Sequence, residues 1–130
     1  MESERFKAGQ AVRRAVLGDA YVDRAVGNRT AFNEDFQRLV SEYCWGEIWT
    51  RDGLPRETRS LLNLVMMVAL NRPHELFIHV KGARRNGCTV AEISETLLQA
   101  AVYAGIPAGV DAFRVAAEAL AEFDQEEQGA

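Results

Sequence analysis

The chain is poor in cysteine, proline and histidine, with two, three and two of its 130 residues. Cys44 and Cys88 lie far apart in sequence, which excludes a disulfide framework and a Cys-x-x-Cys redox or zinc site. No apolar run approaches the ~20 residues of a membrane span. The opening stretch MESERFKAGQ is polar and charged, so no signal peptide and a cytoplasmic protein are expected. A basic excess is missing as well: the net charge of −4 argues against a nucleic-acid binder. Internal repeats, low-complexity stretches, linkers and alternating strand patterns are likewise absent. What is present is an ordinary globular balance, 48% apolar and 26% charged. A chain of this length buries roughly two-thirds of its unfolded surface, enough to fold without disulfides or metal. A single domain over residues 1–130 is expected.

Helix signals dominate, and the expected fold is an all-α single-domain bundle. Glu4 to Leu17 has apolar residues at near-helical spacing, with Gly18 to end it. Asp19 to Val26 reads as a short helix closed by Gly27-Asn28. Thr30 is a plausible N-cap for a helix to about Tyr43, with Phe32, Phe36, Leu39, Val40 and Tyr43 on one side. Arg51-Asp-Gly-Leu-Pro55 is turn chemistry, and Pro55 suits the first turn of the next helix. That helix, through Leu61 to Leu70, is apolar nearly all round and is expected to be the central buried one, with Met66-Met67 in the core. Pro73 begins another helix, stopped at Asn86-Gly87 by a left-handed C-cap. Thr89-Val-Ala-Glu92 is a capping box for a helix ending at Gly105. Pro107 opens the last helix, from Ala108 to Phe123, and residues 124–130 read as a frayed acidic tail.

Charge is unevenly spread. Arg51 to Arg85 holds seven basic residues against three acids, so this segment is +4 inside a −8 remainder. Thirteen of the fifteen basic residues are Arg. Codon preference accounts for that. So does a set of guanidinium forks converging on a carboxylate-bearing ligand.

Two clusters carry candidate chemistry. Residues 72, 75, 76 and 79 share one helix face, which makes Glu75 and His79 an i,i+4 pair. A carboxylate there can fix the tautomer of a histidine and raise its pKa, as general acid–base work requires. Spacing alone also fits an exposed helix-stabilising pair worth ~0.2–0.5 kcal/mol. In Trp45-Gly-Glu47-Ile-Trp49, a carboxylate between two indoles is either desolvated and a possible proton donor, or turned to water while both Trp anchor a core or interface. His74 reads as a solvated helix-start residue, and Cys44 and Cys88 as packing residues rather than nucleophiles.

At these residues the chain resembles the carboxymuconolactone decarboxylase family, within the alkylhydroperoxidase D-like superfamily. The resemblance rests on Asn33-Glu-Asp-Phe36, Trp45-Gly-Glu-Ile-Trp49, Arg51-Asp-Gly-Leu-Pro-Arg-Glu-Thr-Arg-Ser-Leu61, Glu75-Leu-Phe-Ile-His79, Asn86-Gly-Cys-Thr89 with Glu92-Ile93, and Tyr103-Ala-Gly-Ile-Pro107. These run from about Arg5 to Phe123 in family order. The superfamily peroxidases place cysteines seven and four residues before the equivalent of His79. Arg72 and Glu75 stand there in this chain, so a thiol–disulfide cycle has no chemical basis.

The resemblance implies a bundle of about six to seven helices and a carboxy-lyase of protocatechuate (β-ketoadipate pathway) catabolism. Its substrate would be a dicarboxylate lactone that loses CO2 to give 3-oxoadipate enol-lactone. The lactone is its own electron sink, so no cofactor and no metal are expected. His79 is then the expected proton donor, oriented by Glu75, with Glu47 the rival. Arg51, Arg59 and Arg72 are the expected carboxylate and oxyanion binders. A homo-oligomer is expected, a hexamer by resemblance with a trimer possible, and neither nucleic acid nor membrane is an expected partner. The alternatives are a lactone isomerase or hydrolase of the same superfamily, or a non-catalytic helical oligomeric binding module.

Overall fold

The computed structural model describes residues 2–129, so the two ends of the expected domain, Met1 and Ala130, lie outside the described residues. Every regular element among the described residues is helical, as the periodicity predicts. The chain folds as two compact units, Met1–Pro55 and Arg56–Ala130.

The first unit holds α1 (Glu4–Leu17), α2 (Asp19–Gly27), α3 (Glu34–Leu39) and a π-helical segment that continues α3 over Val40–Ile48. The Ser3 side chain caps α1 by accepting from the Phe6 amide. Gly18, at φ 89°, ends α1 where expected. The helix expected from Thr30 differs in two ways. Asn33, not Thr30, occupies the N-cap position of α3, and its carbonyl oxygen Oδ1 accepts from the Thr30 amide at 2.8 Å. The π-helical segment replaces a plain α-helix from Val40, and it packs closely against α1. A Cβ on Gly9 would overlap the Ser41 carbonyl oxygen, and one on Gly46 would overlap the carbonyl of Arg5. Two glycines thus let backbone meet backbone at the crossing.

On the side turned to this crossing, Ser41, Trp45 and Trp49 are buried, and the two indoles stack 4.9 Å apart. Phe32, Phe36, Leu39 and Tyr43, expected together on one side, are exposed instead. The wider turn and the glycine contact bury the tryptophan side, leaving the other apolar row uncovered.

The second unit packs α4 (Arg56–Ala69), α5 (Pro73–Arg85), α6 (Val90–Ala104) and α7 (Ile106–Gln128) around one core. Leu64, Val80, Ile93, Leu97 and Ala119 are almost wholly buried there. Each large aliphatic side chain removed from water contributes about 1.5–3 kcal/mol. Contrary to expectation, α4 is amphipathic rather than buried all round: Leu62, Val65 and Met66 are exposed, as is Leu70 just past its end, and Met67 alone of the methionine pair packs on the core. Gly109 lies so close to Ala101 that a Cβ there would clash, which lets α7 press on α6.

The helix ends are written in local chemistry. Asn71, at φ 57°, closes α4 in a Schellman motif, in which the Arg72 amide donates to Met67 O and the Asn71 amide to Val68 O. Gly87 does the same for α5 at φ 96°, with the Cys88 amide on Ala83 O. The Thr89–Glu92 capping box forms with both bonds, at 2.8 and 3.0 Å. The acidic tail is not frayed, because α7 continues to Gln128. Lys81 Nζ lies 2.6 Å from both Glu122 and Glu126, and Arg85 lies 3.4 Å from Glu126, so cations of α5 hold the acidic turns of α7.

Candidate active site

Two polar side chains, Asn63 of α4 and Glu75 of α5, approach the ring of His79. Pro73 starts α5, where the missing amide has no intrahelical partner, and Glu75 in its first turn suits the positive helix end. One turn on, His79 is buried, and its Nε2 lies 3.9 Å from Glu75 Oε2. From α4, Asn63 Nδ2 lies 3.4 Å from His79 Nδ1. Burial pulls the His79 pKa down from 6.5 to about 4, because an imidazolium there would lose its hydration. This reverses the expected upward shift: Glu75 is half exposed, and water screens its charge before it offsets the burial. Burial thus holds His79 as a neutral imidazole at neutral pH.

Arg59 stands one turn before Asn63 on α4, and its Nε is buried with no hydrogen-bond partner. A guanidinium nitrogen left unpaired at low exposure is costly, and an anionic group would satisfy it. Arg72 behaves differently. At the N-cap of α5 its NH1 donates to Leu70 O at 2.7 Å and to Asn71 O at 3.3 Å, which satisfies carbonyls at the end of α4. Its cleft, about 270 Å³ in volume, is lined by Asn71, Pro73, Leu76, Pro107 and Asp111 among others. His79, Glu75 and Arg59 do not line that cleft.

The other two expected residues belong to the first unit. Glu47 is partly exposed and paired with Arg5 at 3.4 Å, and it is not enclosed by the indoles, which stack on each other. Of the two readings of that carboxylate, the one with Glu47 toward water and both Trp buried is what the chain holds. Arg51 is exposed just beyond the π-helical segment. His74 is exposed at the start of α5, and Cys44 and Cys88 form no disulfide. Asn63 is the site residue that the sequence pattern did not single out. Its signal was an amide alone in the apolar run Leu61–Leu70.

A buried imidazole with a carboxylate one turn away on the same helix can hold and move a proton, and positions 72 and 75 of that helix and its cap carry Arg and Glu. Residues 34–118 match the carboxymuconolactone decarboxylase family, and the chain belongs to it. It is 43% identical over 117 residues to a 4-carboxymuconolactone decarboxylase of Acinetobacter baylyi, covering 90% of this chain and 87% of that one. It is also 44% identical over 110 residues to a nitrosuccinic acid decarboxylase of Metarhizium robertsii, covering 85% of this chain and 77% of the other. A 4-carboxymuconolactone decarboxylase of Pseudomonas putida is 46% identical over 46 residues, 35% of this chain and 96% of that sequence.

Proposed function

We propose that this protein is a carboxy-lyase that converts 4-carboxymuconolactone to 3-oxoadipate enol-lactone and CO2. The observation that carries the reading is the buried His79 ring with Glu75 3.9 Å away, on a family member that is 43% identical to an enzyme named for this reaction. The substrate is an unsaturated lactone with one carboxylate on the ring and a second on an acetate arm. When the ring C–CO2 bond breaks, its electron pair runs through the conjugated ring to the lactone carbonyl. A proton then adds to the ring carbon beside that carbonyl. A dicarboxylate becomes a monocarboxylate plus CO2, so each turnover consumes one proton.

Neutral His79 suits that balance. Substrate carboxylates arriving beside the ring offset the cost of burying an imidazolium, so binding favours proton uptake from water. The proton then passes to the dienolate, while Glu75 orients the ring. Arg59 takes the spectator carboxylate; Arg72, whose guanidinium caps α4 beside a separate cleft, and Arg51 and Glu47 of the other unit are given no step. Donors aimed at the developing enolate oxygen are worth ~3–4 kcal/mol of barrier. Because the electron sink lies in the substrate, the reading requires neither cofactor nor metal.

The reading extends to a cytoplasmic role in protocatechuate catabolism and to a homo-oligomer, a hexamer by family resemblance. Two rows of exposed apolar side chains, Phe32, Phe36, Leu39 and Tyr43 in one unit and Leu62, Val65, Met66 and Leu70 in the other, support self-association. Among the described residues no helix is long and apolar enough to cross a membrane.

The test supplies purified protein with 4-carboxymuconolactone and follows CO2 release and enol-lactone formation. Turnover is expected; a folded protein that does not turn the lactone over overturns the reading. Nitrosuccinic acid, also a dicarboxylate with an electron-withdrawing group, is the comparison substrate, and the lactone is expected to have the higher kcat/KM.

A further inference from the structure

Asn63 is the only polar side chain between Leu61 and Leu70, and it sits in a helix interior where Asn is a poor helix former. It is half buried, and its amide nitrogen lies 3.4 Å from His79 Nδ1. An amide N–H only donates, so the ring nitrogen facing it must hold a lone pair. The proton of the neutral ring is then on Nε2, the atom 3.9 Å from the Glu75 carboxylate. The opposite amide orientation would put Oδ1 on an Nδ1–H and leave the Nε2 lone pair facing a carboxylate oxygen, two acceptors against each other. Asn63 and Glu75 thus approach opposite nitrogens of the ring and favour the same tautomer.

We infer that Asn63 is a positioning residue that holds His79 as its Nε2–H tautomer, with the N–H on the Glu75 side of the ring. Its consequence for turnover rests on the decarboxylation proposed above: the ring that has taken up a proton on substrate binding delivers from Nε2–H, on the Glu75 side, to the dienolate. The proton taken up enters at Nδ1, where the Asn63 amide turns its Oδ1 to accept from it, so delivery leaves a neutral Nδ1–H ring that returns to Nε2–H by exchange with water. Asn63 touches the ring and not the reacting atoms, so its effect is on kcat through the orientation and protonation of His79.

The tautomer is read directly, without substrate, from nitrogen-15 chemical shifts and long-range proton couplings of the full-length protein labelled at histidine. His74→Gln assigns the two histidine signals. At neutral pH the His79 Nδ1 is expected to show the shift of an unprotonated ring nitrogen and Nε2 that of an N–H. Asn63→Asp, nearly isosteric but offering only acceptors, is expected to move the proton toward Nδ1. Asn63→Leu is expected to leave a mixture.

On the lactone, both variants are expected to lose about tenfold or more in kcat with KM within about twofold. A wild-type His79 protonated on Nδ1 overturns the inference, even where a variant fails to fold. Folded variants with an unchanged tautomer and unchanged kcat overturn it as well. A wild-type protein that shows the Nε2–H tautomer but does not turn over the lactone overturns the proposed function and leaves the positioning role standing.

Discussion

His79 Nε2 and the Glu75 carboxylate lie 3.9 Å apart across one turn of α5, the ring 8% exposed and the carboxylate 45%. A buried neutral base thus stands beside a charge that water can still reach. The pair supports a ring that stays uncharged until an anion arrives, because burial outweighs the screened carboxylate.

That balance makes stability depend on pH in a known direction. In the unfolded chain His79 titrates near 6.5, whereas in the folded chain it titrates near 4, so the unfolded state takes up the proton first. The contribution of the neutral ring is intact above pH 6.5 and is lost as pH falls toward about 4, at about 1.4 kcal/mol per pH unit in that window. Urea unfolding at several pH values in this range is expected to show a steeper loss for wild type than for His79→Gln. Equal slopes would mean the ring is not held neutral.

Arg59 offers a test of anion binding. Its buried, unpaired Nε predicts that Arg59→Lys, which keeps the charge but loses the fork, raises KM for the lactone. A charge-assisted hydrogen bond is worth roughly 1.5–3 kcal/mol, so the rise should be about tenfold or more. Steady-state kinetics decide it, and an unchanged KM would remove Arg59 from the carboxylate site.

The glycine crossing of the first unit predicts a structural cost. In Gly9→Ala the new methyl meets the Ser41 carbonyl, which is main chain and cannot rotate aside. Overpacking of this kind typically costs about 1–3 kcal/mol. Gly27→Ala, where a Cβ meets nothing, is the control. Thermal melts should lower Tm for the first variant and leave the second close to wild type.

Cys88 should be chemically silent. It is wholly buried behind the end of α5, and burial together with nearby Glu92 and Glu57 pushes its thiol up to about 11. Little thiolate forms at neutral pH, so alkylation by iodoacetamide should mark the half-buried Cys44 first. Mass spectrometry of partially modified native protein gives the order. Prompt modification of Cys88 would show that the second unit opens readily.

The helical class, the ends of α1 and α5, and the Thr89–Glu92 box were legible because caps and periodicity act through residues three to five apart. The Glu75–His79 pairing was legible for the same reason. Other features required distant segments. The close crossing of the π-helical segment depends on α1 presenting Gly9, and the last turns of α7 beyond Phe123 are paired with Lys81 and Arg85 on α5. Local pattern gives no hint of either partner.

The absence of cysteine from positions 72 and 75, where the peroxidases of the superfamily that the sequence resembles carry it, was legible in the sequence, since side-chain identity is enough to remove a thiol–disulfide cycle at those positions. The protonation state of His79 needed the fold. Desolvation depends on which helices cover the ring, and its tautomer on an amide that α4 brings to it from 16 residues away. Residue identity limits the available reactions, whereas packing sets the charge and orientation with which those residues act.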